Sequence, residues 1–151
     1  MVLLKTFEEL KRNDAYLPGS LLKVNMVLPG KDNGIKASSL EIANATLRVV
    51  KTCVPNEIPG IVFLSGGQSS EEATKNLNEI NKLAENPPWK LSFSYARALQ
   101  MPALKAWAGS DENIIKAQEI FKNCARLNYL AVQGKYTPCL LYTSPSPRDR
   151  S

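Results

Sequence analysis

The chain has 151 residues, 44% of them hydrophobic and 22% charged, an ordinary composition for a globular domain with one apolar core. Its formal charge of +5 includes no block of Lys and Arg interleaved with aromatics, which argues against specific nucleic-acid recognition; the excess fits an anionic substrate and equally a mildly basic surface. With no histidine, and no CxxC spacing among Cys53, Cys124 and Cys139, the usual zinc sites and the Ser-His and Cys-His catalytic pairs are disfavoured.

Val2 to Lys11 has a helical period through Leu3, Phe7 and Leu10. Met1 to Arg12 is too charged for a secretory signal, and no apolar run reaches the roughly 20 residues that span a bilayer. A reducing, cytoplasmic setting is expected, with no membrane partner. Leu21 to Val27 reads as a strand, with Leu21, Lys23 and Asn25 on one face and Leu22, Val24 and Met26 on the other. Ser38 and Glu41 form a capping box ahead of a helix whose inward residues are Ile42, Ala45, Val49 and Cys53. A second strand, Ile61 to Ser65, leads through two glycines into another capping box, Ser69 and Glu72. The helix that follows turns Ala73, Leu77, Ile80 and Leu83–Ala84 inward. Leu91 to Tyr95 is the third strand. Ser110 is the expected N-cap of a last helix, with Ile114, Ala117, Phe121 and Cys124 facing the core. Pro55, Pro59–Gly60 and Pro87–Pro88 mark the returns to strands.

Helices alternating with strands predict a parallel α/β architecture. Three strands cannot close a barrel, so a barrel parent would make this chain a part of one. From Cys139 to Ser151 the composition changes abruptly, and the Ser-Pro-Ser-Pro stretch has neither helical nor strand period. Residues 139–151 are expected to be an unrelated, disordered, vector-like tail.

Three constellations carry chemistry. Lys23 lies inside an apolar strand. It is either an edge-strand lysine with its amine in water or an amine that burial and neighbouring cations keep neutral for attack on a carbonyl. Ser65-Gly66-Gly67 sits between a strand and a capped helix, where small residues let backbone N–H groups approach an anion. The same loop could be only a tight turn that needs glycine. Ser94 and Arg97 follow the third strand, where an arginine can fork two hydrogen bonds to a phosphate or simply lie on the surface.

Taken together, Leu-Leu-Lys23-x-Asn-Met-Val, Gly60 to Ser69, Phe93-Ser94-Tyr95-x-Arg97-Ala98-Leu99-Gln100 and Gln133 to Pro138 resemble class I fructose-bisphosphate aldolase. The motifs occur in that family's order and spacing over residues 2 to 138. The resemblance implies the C-terminal part of a (β/α)8 barrel, about strands six to eight with their helices, over residues 1–138. It implies a glycolytic lyase that reversibly cleaves fructose 1,6-bisphosphate to dihydroxyacetone phosphate and glyceraldehyde 3-phosphate, in a cytoplasmic homotetramer, with no metal or other cofactor. Lys23 would form the Schiff base with the ketose; Ser65, Gly66 and Gly67 would bind a substrate phosphate; Ser94 and Arg97 would make further substrate contacts. The sequence departs from the family in three places. Val24 replaces a common proline. Ala96 replaces a common glycine, where a positive φ would cost energy. Cys139–Ser151 stands in place of the family's tyrosine-ended tail. The family's acid/base residues from earlier strands would precede Met1. The chain is therefore expected to have little activity alone; the alternative is a truncated, non-catalytic product that serves as a binding or scaffold piece.

Overall fold

The computed structural model describes residues 2–30, 32 and 34–138, so the expected tail at 139–151 lies outside the described residues. Helix α1 (Val2–Arg12) leads through a 3-10 turn (Leu17–Gly19) into strand β1 (Leu21–Asn25). Helix α2 (Ser39–Cys53), β2 (Gly60–Leu64), α3 (Ser70–Leu83) and β3 (Lys90–Phe93) follow, then α4 (Arg97–Trp107), a 3-10 turn (Asp111–Asn113) and α5 (Ile114–Val132). The strands form one parallel sheet in the order β1-β2-β3.

The register explains which face holds the core. Leu22, Ile61 and Leu91 align across the sheet, as do Val24, Phe63 and Phe93. Ile61, Phe63 and Leu91 are buried, and they join Leu47 and Val50 of α2, Leu77 and Ile80 of α3, and Leu127 and Ala131 of α5 in one cluster. Full burial of an aliphatic or phenyl side chain contributes roughly 1.5–3 kcal/mol, so this row is the main reason the strands stay together. The opposite face carries Lys23, Val62 and Ser92 in one row, and Lys23 is exposed.

Both capping boxes form. Ser38 accepts the Glu41 N–H and Ser69 accepts that of Glu72, while each glutamate accepts from its serine's backbone N–H. The bond from the Ser69 N–H, and then the Ser69 hydroxyl, hold Glu72 below its ordinary value of 4.5. A carboxyl lowered on folding contributes stability that is present above 4.5 and lost as pH falls through the lowered value. Loss of a first-turn carboxylate by Glu72→Ala should cost about 0.5 kcal/mol near neutral pH, the usual scale for a solvent-screened charge at a helix N-terminus. Thermal melts against pH should show the gap from the parent chain closing below 4.5.

Three local expectations change. On α2 the buried stripe is centred on Ala43, Leu47 and Val50, while Ala45 and Val49 are half-buried, a rotation of the expected face by about one residue. Helix α4 has no counterpart among the expected elements; Pro102 lies inside it and Ala96 provides no side-chain cap. Proline removes a helical hydrogen bond at a cost of about 3 kcal/mol, so packing on α5 and α3 must sustain this helix. Ser110 begins the 3-10 turn instead of α5, whose own N-cap is Asn113, and its side chain makes no cap bond. Ala117 is buried as expected and Cys124 is half-buried, but Ile114 and Phe121 are each 39% exposed. The inward face of α5 runs through Leu127, Asn128 and Ala131, and the Ile114–Phe121 stripe meets α4 instead of the core.

Candidate active site

Because the strands are parallel, their C-terminal ends share one edge of the sheet, and every candidate residue lies at or near it. Lys23 is two residues from the end of β1, an edge strand, and its side chain is exposed on the face away from the helices. Among the described residues Lys23 has no ion pair or hydrogen-bond partner. These residues therefore show the solvated lysine. A desolvated amine would need a surface over this face that they do not supply.

The β2 exit is more fully built. Ser65 is 7% exposed, and Gly66 and Gly67 have φ of 55° and 85°. A residue with a Cβ in this left-handed region costs roughly 1–2 kcal/mol, which accounts for the glycines. A Cβ on Gly66 would also strike the amide group of Asn25. The loop is thus seated directly on Asn25, the open-face side chain that follows Lys23 by two positions. Among the described residues, the N–H groups of Gly66 and Gly67 have no acceptor. Two neighbouring unpaired N–H groups beside the N-terminus of a 14-residue helix favour an anion.

The third strand delivers its residues beside this loop. The Ser94 N–H donates to the Phe63 carbonyl at 2.8 Å, which continues the β2–β3 ladder one residue beyond β3. Tyr95 is buried and donates its hydroxyl to the Ala73 carbonyl of α3 at 3.0 Å; burial pushes its hydroxyl well above the ordinary value of 10.0. Arg97 is the first residue of α4 and is exposed. Ala96 has φ −96°, so the expected strain of a positive φ at this position does not arise. Val24 sits in the ladder opposite Phe63, where a valine in place of proline supplies an N–H and a β-branched surface suited to a strand.

The sequence profile of the family described as fructose-bisphosphate aldolase class-I matches residues 1–146. The chain belongs to the class I fructose-bisphosphate aldolase family. It is 52% identical over 137 residues to the non-muscle-type fructose-bisphosphate aldolase of Lethenteron camtschaticum, covering 91% of this chain and 38% of that protein. It is 50% identical over 135 residues to the cytosolic fructose-bisphosphate aldolase 4 of Arabidopsis thaliana, covering 89% and 34% respectively. A crystal structure of Plasmodium falciparum fructose-bisphosphate aldolase, determined with TRAP and a small-molecule inhibitor, superposes with a TM-score of 0.87. Its identity to this chain is 46%, over 90% of this chain and 39% of that one. The chain thus spans under two fifths of the length of the curated relatives named here.

Several residues that shape this edge of the sheet give little sequence signal of their own. Thr46 is buried on α2 and accepts the Val27 N–H at 3.0 Å, fixing the exit of β1. Asn76 is buried on α3 and donates to Gln68 at 2.7 Å. Thr46 interrupts an otherwise apolar stripe on α2, whereas Asn76 shares the buried face of α3 with Thr74 and Asn78; these interruptions of the apolar period are the one clue they leave.

Proposed function

We propose that this chain carries one wall of a Schiff-base aldolase site, formed by the sixth to eighth βα units of a (β/α)8 barrel, with a phosphorylated ketose as substrate. Lys23 adds to the ketose carbonyl, whose oxygen leaves as water, and the protonated imine takes up the C3–C4 bonding pair of fructose 1,6-bisphosphate while a base from the earlier strands takes the C4 hydroxyl proton. Dihydroxyacetone phosphate stays on the lysine as the carbanion equivalent while glyceraldehyde 3-phosphate leaves. Ser65, Gly66 and Gly67 hold one phosphate through the unpaired N–H groups and the dipole of α3. Ser94 makes a further contact, and Arg97 forks onto a substrate oxygen from the start of α4. The setting is a cytoplasmic homotetramer, as the resemblance implies.

The single observation that carries this reading is the seating of the Ser65–Gly67 loop on Asn25. It joins a polar anion cradle to the strand that bears Lys23. A chimera tests it: residues 2–138 replace the matched stretch of the Lethenteron relative. The chimera should cleave fructose 1,6-bisphosphate. The isolated 151-residue chain should run about 10²–10⁴-fold slower or not at all, the scale expected when general acid/base groups are missing. A chimera that folds and does not cleave the sugar would contradict the assignment.

A further inference from the structure

Gln68 holds the β2 exit loop from beneath. Its backbone N–H donates to the Ser65 carbonyl at 2.9 Å and its side-chain Nε2 donates to the same oxygen at 2.7 Å. Nε2 also lies 3.7 Å from the Met26 sulfur, just past the end of β1. The side-chain Oε1 accepts from Nδ2 of Asn76 at 2.7 Å, and Asn76 is 4% exposed. An amide side chain has a donor end and an acceptor end. The Asn76 donor therefore fixes which end of Gln68 faces Ser65. With the donor end there, both lone pairs of the Ser65 carbonyl are occupied.

A trans peptide is planar, and its N–H points opposite to its C=O. Fixing the Ser65 carbonyl inward therefore turns the Gly66 N–H outward, toward the edge where Lys23, Ser94 and Arg97 lie. We infer that half-buried Gln68 and buried Asn76 form an amide relay that positions the Gly66–Gly67 N–H groups for a substrate phosphate. Both act as positioning residues, with no contact to the ligand. The inference rests on the reading of this loop as a phosphate site.

Asn76→Asp is the sharpest probe, because it replaces the donor with an acceptor at nearly constant shape. Gln68 then turns its Nε2 toward residue 76 and presents its oxygen to the Ser65 carbonyl, and the loop keeps only the backbone one of its two inner bonds. Gln68→Ala removes the relay outright. Ser38→Ala, which weakens the corresponding cap on α2, controls for general destabilisation. Two signals are measured on the labelled 151-residue chain. One is the shift of the Gly66 and Gly67 amide resonances on titration with inorganic phosphate; the other is protection of the Gln68 N–H against hydrogen exchange.

Asn76→Asp and Gln68→Ala should each weaken the phosphate response about tenfold, the scale of one hydrogen bond. They should lower Gln68 protection by a similar factor, and Ser38→Ala should change neither. A phosphate response and Gln68 protection that survive Asn76→Asp would overturn the relay. Should the parent chain show no phosphate shift at Gly66 and Gly67, the phosphate reading of the loop falls. The relay is then judged by Gln68 protection, and protection unchanged in both variants would overturn it as well.

Discussion

In the chimera, Lys23→Met lowers cleavage of fructose 1,6-bisphosphate by roughly four to six orders of magnitude, the scale of losing a covalent nucleophile. Lys23→Arg should be as damaging, since a guanidinium retains its proton and cannot add to a carbonyl. The two variants should differ in binding. Arginine preserves the positive charge near a doubly phosphorylated sugar, so KM should change less than with methionine. Steady-state kinetics of the two variants, with circular dichroism confirming the fold, check both statements. If Lys23→Met kept a tenth of the activity, the covalent role would be excluded. Lys23 faces the open side of the sheet, level with Val62 and Ser92, and not the helix layer, so the core should tolerate both substitutions.

Phe63→Ala should be the most destabilising single change in the described core. Phe63 is fully buried, with relative exposure of 0%, and lies in the central strand between Val24 and Phe93. Removing a buried phenyl ring costs about 3–5 kcal/mol through lost transfer energy and the cavity left behind. A domain of ordinary stability has only about 5–15 kcal/mol in all. Val62→Ala, one residue away on the open face, should cost far less because Val62 is only half-buried. Urea unfolding midpoints of the two variants provide the comparison; equal losses would mean that the two faces of the sheet are not energetically distinct. The Phe63 variant should also disturb the site, since the Phe63 carbonyl accepts the Ser94 N–H.

Much of the scaffold is readable from residue order because its signals are local. The capping boxes at Ser38–Glu41 and Ser69–Glu72, the alternation of Leu21 to Met26 and the proline punctuation each act within a few residues. Strand boundaries move by one or two positions, as where β1 stops at Asn25 although Met26 continues the buried side of the alternation. Helix α4 is hidden by Pro102, and no local rule weighs that cost against packing on α5 and α3. The outward tilt of Ile114 and Phe121 has a similar origin. A stripe with a helical period shows that a helix has an apolar face, but not whether a sheet or a neighbouring helix covers it.

At the site, the types of residue and their edge of the sheet are legible, and their support is not. Lys23 in an apolar strand, glycines before a capped helix and an arginine after the third strand all stand out in the sequence. Asn25, which the loop rests on, and the Gln68–Asn76 contact bring together residues 41 and eight positions apart in the chain. Only the folded arrangement brings them together. The exposed state of Lys23 is one of the two alternatives that the strand sequence leaves open, and the fold selects it because none of the described helices covers this face.

The most direct measurement of the central assignment is borohydride trapping with dihydroxyacetone phosphate, followed by peptide mapping of the modified lysine. The chimera should be labelled stoichiometrically on Lys23, and the isolated chain should be labelled only in trace amounts. Trapping on a different lysine of the chimera, or efficient labelling of Lys23 in the isolated chain, would contradict the account.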